Sequence, residues 1–391
     1  MVRKRWMAPL VSIVLLARMS WGATGPEGAL PTIRSAGDSL YFLDVPGTSG
    51  KGIVVEMERS LCLIDPPLSD VGGSATQLHD DVEGGRRVLA ALAARFPKKP
   101  LAYVLSSHWH PHSLASMRPF LEGGVRIVTT RTNFERLREM LGPTPPPSLA
   151  SLIVFVDGET LTIGDAPNRI IAHRILKKDY PSTPTEDYLY FELPRHDALY
   201  AACMFFIWPG PPVAGRPLVT NREEDLFRFV GARGLHPRWL MRLEREPSGR
   251  ELVPFTELAT RVGTGVHQGE LSRHYRALAT EELRRDRGKL VAEAIRDHVP
   301  AFLINDIVYE GVARRELDRA LELATLQVLI APSSSNAWDT LGEVAYVMGD
   351  SDAARAYEAE ARQHAKGTYS GGESLWRSDL EQYRRQWAAA R

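Results

Sequence analysis

The sequence predicts a layered α/β domain followed by an all-α helical-repeat segment, and three observations carry that prediction. Short apolar runs bounded by Pro and Gly turns alternate with segments of helical period between about residues 39 and 206. No Gly-rich phosphate loop joins any of those runs to the helix after it, which argues against a doubly wound sheet. Towards the C-terminus, the spacing of Trp338, Leu341, Gly342, Ala354 and Ala361 recurs 34 residues earlier at Ile304, Ile307, Val308, Ala320 and Gln327.

At 391 residues the chain is too long for one ordinary core, so two domains with additions are expected. Apolar residues make up 44% and charged residues 25%, the balance of a folded globular chain. Lys plus Arg and Asp plus Glu both number 48, so the net charge is zero and neither nucleic acid nor an anionic membrane is expected as the main partner. Arg3, Lys4 and Arg5, the apolar run Met7 to Ala17 and the small-x-small Ser20-Trp21-Gly22 predict a signal peptide over residues 1–22. Export to the periplasm or beyond follows, with no integral membrane span after cleavage. Arg18, just before the cut, leaves an uncleaved membrane anchor as the alternative. Cys62 and Cys203 would then meet an oxidising compartment, where they are expected as buried free thiols, although pairing stays open.

In chain order, Ser39–Leu43 and Gly52–Glu56 read as strands joined through a Pro-Gly turn, and Ser60–Asp65 as a third stopped by Pro66-Pro67. Asp65 therefore closes a strand, where loop-borne chemistry collects. Gly85 to Phe96 reads as a helix with Val88, Leu89, Leu92 and Phe96 on one stripe. The strand Leu101–Leu105, a helix over Leu114 to Leu121, the strand Val125–Thr129 and a helix over Thr132 to Leu141 come next. Further strands are expected at Ile153–Val156, Leu161–Ile163, Ile170–Ile175, Tyr188–Leu193 and Ala198–Phe206. Residues 221–258 are charged with Pro and Gly breaks and read as a solvated surface insertion, and Leu271 to Asp297 as an Arg/Glu-rich helical exit.

The chemistry concentrates after Leu105. The apolar run Tyr103-Val104-Leu105 opens into Ser106-Ser107-His108-Trp109-His110-Pro111-His112-Ser113, with histidines at i, i+2 and i+4. At the end of a strand those side chains can point the same way, and converging neutral imidazoles suit zinc or iron. The competing reading is a polar loop with incidental histidines.

Four segments carry a family likeness. Leu63-Ile64-Asp65 looks like a strand-ending aspartate, and Ser107 to Ser113 like a His-x-His-x-Asp-His loop. Ser182-Thr183-Pro184 looks like a His-Thr-Pro segment, and Leu199 to Cys203 like a Leu-Phe-Ala-Gly-Asp strand. Val262 to Gly265 falls, more weakly, where a Gly-His-Gly belongs. On these residues the stretch 33–270 resembles the metallo-β-lactamase superfamily. The resemblance implies an αββα sandwich, a metal-dependent hydrolase, and an aspartate at Asp65 that orients a ligand from beneath the centre. His108 and His110 stand at the first two zinc-ligand positions. His112 stands where the aspartate belongs, Ser113 and Ser182 where histidines belong, Cys203 at the bridging aspartate and Thr264 at the last histidine. Alcohols do not replace imidazoles on zinc at neutral pH, so a dinuclear centre is not expected. A reduced site with one zinc ion stays open, built from His108, His110 and either His112 or Cys203, with His173 and His267 as outside candidates. The other reading of Cys203 is core packing. Trp109 and Trp208 are candidates for the rim or for core.

The repeated spacing near the C-terminus resembles tetratricopeptide units over 285–365, with Gly349-Asp350 as a turn and Pro332 ending the first unit. A tail over 366–391 completes the chain. Two functions follow from this reading. One is an exported zinc hydrolase of an ester- or amide-type bond in an unidentified small-molecule substrate. The other is an inactive sandwich that acts with its repeats as a scaffold for a peptide or protein in the cell envelope.

Overall fold

In the computed structural model the described residues are 30–45, 51–67, 80–143, 145–146, 149–205, 210–243 and 250–365, the side chains of Pro111 and His112 excepted. The signal peptide expected over 1–22, the tail over 366–391 and Trp208 lie outside them.

Seven strands form the first sheet in chain order: β1 (Thr32–Gly37), β2 (Leu40–Asp44), β3 (Lys51–Glu56), β4 (Leu61–Ile64), β5 (Leu101–Leu105), β6 (Arg126–Thr129) and β7 (Ile153–Phe155). The first four make an antiparallel meander, and β4 to β7 run parallel. Parallel neighbours need crossovers. These are α1 (Val82–Arg95) before β5, α2 (Pro111–Leu114) and α3 (Met117–Glu122) before β6, and α4 (Arg131–Leu141) and α5 (Leu149–Leu152) before β7.

The second sheet takes β8 (Thr160–Ile163), β9 (Ile170–Leu176), β10 (Asp187–Leu193) and β11 (Ala198–Tyr200). The pair β12 (Leu218–Val219) and β15 (Val266–His267) stands apart, and β13 (Trp239–Met241) and β14 (Val253–Pro254) complete the second sheet in the order β14-β13-β11-β10-β9-β8. It is mixed as well, because β11 and β13 run parallel. Its helices are α6 (Asn221–Ala232) and α7 (Phe255–Thr264).

Period-two burial explains the layering. In β4, Cys62 and Ile64 enter the core between the sheets, while Leu61 and Leu63 face the helices with Val88, Leu92 and Phe120. Ile53 and Val55 against Val54, and Leu105 against Val104, alternate in the same way. Both faces of these strands are therefore apolar. Helices outside two facing sheets give an αββα sandwich, as the sequence predicts.

The segment 221–258 differs from its sequence reading. It is no surface insertion: Leu226, Phe229 and Val230 of α6 are buried on the second sheet, and β13 is one of that sheet's strands. The apolar stripe at i, i+3 and i+4 is masked in sequence by the charged residues of its solvent face. Thr220 and Glu223 start α6 with a reciprocal capping box.

Seven helices follow: α8 (Gln268–Ala277), α9 (Thr280–Arg285), α10 (Arg287–Arg296), α11 (Ala301–Ala313), α12 (Leu317–Ile330), α13 (Ser335–Met348) and α14 (Ser351–His364). Their own core includes Leu303, Ile304, Ile307, Leu323 and Leu341. The starts of α11 and α13, Ala301 and Ser335, lie 34 positions apart, as do those of α12 and α14, Leu317 and Ser351. Gly342 brings α13 close to α14, where an added Cβ would sit 3.3 Å from the Ala354 carbonyl oxygen. The left-handed Gly349 ends α13, and the Asp350 side chain caps α14. Val213, Leu218 and Val266 of the first part meet Leu271 and Phe302 of the helices in a small shared cluster. Among the described residues no helix is long and apolar enough to cross a membrane.

The helical stack holds an acid that titrates near neutrality. Burial, with Asp339 adding and a hydrogen bond from Tyr309 opposing, pushes the Glu343 carboxyl up to about 7 from 4.5. A raised carboxyl pKa stabilises the fold below the unfolded value, and that contribution is lost as pH rises through the folded one. This group should therefore lower the thermal midpoint between about pH 5 and 8, and Glu343→Gln should remove that contribution of roughly 3 °C. Equal pH slopes for the two proteins in calorimetry would refute the assignment.

Candidate metal centre

The centre lies where β4, β5 and β11 end. Asp65 follows β4 with a positive φ of 44°, and its N–H continues the ladder by donating to the Leu105 carbonyl at 2.9 Å. After β5, the Ser106 N–H pairs with Val128 and the Ser107 carbonyl accepts the Leu189 N–H from β10 at 2.8 Å. The histidine loop is thus anchored to both sheets before α2 begins.

β11 ends at Tyr200, short of the Phe206 expected from sequence. A 3-10 turn over Ala202–Met204 follows, with Ala202 at a φ of 28°. The Tyr188 hydroxyl donates to the Ala201 carbonyl at 2.9 Å and holds this turn. Cys203 therefore leaves the apolar strand and becomes half-buried, whereas Cys62 stays in the inner core, where burial pushes its thiol pKa up. Neither cysteine forms a disulfide among the described residues.

Among the described residues, His108, His110 and Cys203 form one group whose ligand-type atoms all lie within 4.8 Å of one another. Two imidazoles and a thiol, delivered by two different strand ends, are a donor set competent for one zinc ion. The rings of His108 and His110 lie 4.6 Å apart edge to face, and Trp109 meets His110 at 5.1 Å. Burial pushes the His110 pKa down to about 4, with Arg222 and Lys177 adding and Glu186 opposing. At neutral pH its ring is therefore uncharged, the form in which an imidazole can act as a ligand.

Beneath His108 sits a buried polar network. Asp65 accepts the Ser107 N–H at 2.8 Å, the Ser107 hydroxyl at 2.5 Å and the Tyr200 hydroxyl at 2.9 Å. Ser113 adds a further hydrogen bond to the same carboxylate, and its Oγ lies 3.3 Å from that of Ser107. Ser107 Oγ is also 2.7 Å from Nδ1 of His108. Burial pushes the Asp65 carboxyl up to about 6, and these donors limit the rise.

Of the remaining sequence candidates, those whose side chains are described have other partners. His112 belongs to α2, and its side chain lies outside the described residues. His173 lies in β9 with Nε2 2.8 Å from Glu192 and its ring against Phe229 under α6, outside the cluster. His267 ends β15 and pairs with Glu224 of α6. The alcohols at the other ligand-like positions are engaged structurally. Ser182 bonds Asp225 and the Asn221 carbonyl, and Thr264 bonds the Thr260 carbonyl at 2.8 Å. Trp109 is partly packed on the helix-side core, with its N–H 3.4 Å from Glu186 and Arg136 over its ring.

Sequence reasoning did not single out Ser107, Tyr200 or Arg222. Ser107 carries a signal, since it is the residue between the strand end and the first ligand. Tyr200 carries none, because its hydroxyl arrives from the other sheet. Arg222 donates to the Cys203 carbonyl at 3.1 Å from the first turn of α6.

No family model matches the chain, and no curated protein does. Solved structures similar to it include a metallo-beta-lactamase from Pontibacter korlensis, 15% identical over 60% of this chain and 97% of that one, with a TM-score of 0.42. A metallo-beta-lactamase from Pseudomonas aeruginosa in a mono-zinc form is 10% identical over 61% and 96%, with a TM-score of 0.41. One from Hirschia baltica is 14% identical over 60% and 97%, with a TM-score of 0.39. The αββα assignment rests on the strand order and layers of the chain itself.

Proposed function

We propose that this chain is an exported hydrolase that acts through a single zinc ion held by His108, His110 and Cys203. The observation that carries the reading is the convergence of those three donors from two strand ends to within 4.8 Å. The sequence resemblance to the metallo-β-lactamase superfamily supports it, and the alcohols Ser113, Ser182 and Thr264 argue for one ion rather than two. When bound, such an ion polarises a carbonyl and supplies hydroxide at neutral pH, which suits an ester, amide or thioester substrate. The chain's own part is to orient and enclose. Asp65 holds the loop from below, Tyr188 fixes the Cys203 turn, and Trp109 shields one side of His110. Arg222 places a positive charge beside Cys203 and holds its backbone carbonyl.

A second reading takes its support from the same three alcohols. With those ligand positions lost, the sandwich would serve as a binding module, and the helices α11 to α14, as tetratricopeptide-like units, would dock a peptide or protein. Metal analysis separates the two. After zinc supplementation the purified chain should hold about one equivalent, and His108→Ala/His110→Ala less than about a tenth. Less than about a tenth in the unmutated chain would leave only the scaffold reading. With metal present, hydrolysis across an ester, thioester and amide panel should stop on adding a chelator.

A further inference from the structure

We infer that Ser107 is a positioning residue that fixes the tautomer of His108, so that Nδ1 carries the proton and Nε2 keeps the lone pair. The inference rests on counting protons in the buried network. At neutral pH the Asp65 carboxylate can only accept, and the Ser107 hydroxyl, 2.5 Å away, has a single proton to give. That proton goes to Asp65. The 2.7 Å contact between Ser107 Oγ and Nδ1 of His108 then needs its proton from the imidazole. The resulting chain runs from Nδ1–H of His108 to Ser107 Oγ and from Ser107 O–H to Asp65.

The rest of the network removes the competing arrangement. Tyr200 donates to the same carboxylate oxygen as Ser107, the Ser107 backbone N–H donates to the other, and Ser113 adds its own hydrogen bond. All four residues are fully buried, so no bulk water competes for these hydrogen bonds. Ser113, which stands where the resemblance expects a ligand histidine, here serves as a further donor to the carboxylate that holds Ser107. A ligating imidazole commonly gives its second N–H to a carboxylate or carbonyl. Here a serine hydroxyl stands between the two, which moves the carboxylate one bond further from the centre.

Only the affinity arm of the test depends on the metal reading above. In the metal-free chain at about pH 7.5, a long-range proton–nitrogen spectrum, with the His108 signals identified by their loss in His108→Gln, should show Nδ1 protonated and Nε2 bare. Protonation at Nε2 would overturn the inference, and this reading needs neither a metal nor a Ser107 variant. In a zinc competition titration, Ser107→Ala should weaken binding by about 10- to 100-fold, and Ser107→Thr, which keeps the hydroxyl, should restore it to within about threefold. Unchanged affinity in Ser107→Ala would also overturn it. If the unmutated chain takes up no zinc, the proposed hydrolase fails while the tautomer still decides the role of Ser107.

Discussion

Cys203→Ser should abolish tight zinc binding, with the dissociation constant rising by roughly 100-fold or more, about 2.7 kcal/mol. Serine is nearly the same size, so the 3-10 turn over Ala202–Met204 should survive and the change isolates the donor atom. A thiol loses its proton to a metal far more readily than an alcohol does, so the substitution leaves two imidazoles and no anionic ligand. The cobalt-loaded protein gives a direct signature. It should show a thiolate-to-cobalt charge-transfer band that Cys203→Ser lacks, while Cys62→Ala, altering a thiol of the inner core, should retain it. A band that persists in Cys203→Ser, or an affinity within about threefold of the unmutated value, would remove Cys203 from the ligand set.

Asp65→Ala should be among the most destabilising single changes near the centre, at roughly 3–5 kcal/mol in denaturant unfolding of the metal-free chain. The substitution strips the acceptor from the Ser107 N–H, the Ser107 hydroxyl and the Tyr200 hydroxyl, and takes away the bond from Ser113. Each buried donor left without a partner costs about 1–3 kcal/mol. The charge itself is not the benefit, since burial already disfavours it and raises the carboxyl to about 6. Asp65→Asn, which keeps one carbonyl oxygen as acceptor, should therefore cost clearly less than the alanine. Tyr200→Phe removes one donor together with its need and should cost least. A loss below about 1 kcal/mol for Asp65→Ala would mean that the loop is held by backbone pairing alone.

These predictions draw on residues that were unequally legible in the sequence. His108 and His110 were visible because they alternate directly after an apolar strand, and Asp65 because two prolines stop the strand it closes. Cys203 was ambiguous. Its run Ala198–Phe206 reads as one apolar strand, and only the turn after Tyr200 takes the thiol out of the core and towards the histidines. His173 and His267 were outside candidates by residue type, and their strands point them at Glu192 and Glu224 instead. Ser113 looked like lost function, and the structure shows it hydrogen-bonded within the Asp65 network beside Ser107. The segment 221–258 was misread because charge dominated its composition and hid the Leu226, Phe229 and Val230 stripe.

Periodic features were the ones determined by sequence alone: strands β2 to β7 of the first sheet, the helical periods outside it, and the 34-residue spacing shared by α11 with α13 and α12 with α14. These are local, because backbone geometry imposes periods of 2.0 and 3.6 wherever one face meets a core. The tertiary structure alone decided which candidates meet. His108 and Cys203 are 95 positions apart and approach only because β5 and β11 lie in different sheets whose ends converge, with Leu189 tied to Ser107 across them. Asp65 and Tyr200 meet by the same convergence. A contact between distant strand ends depends on sheet order, strand length and the turn at each end, and none of these leaves a period in the chain.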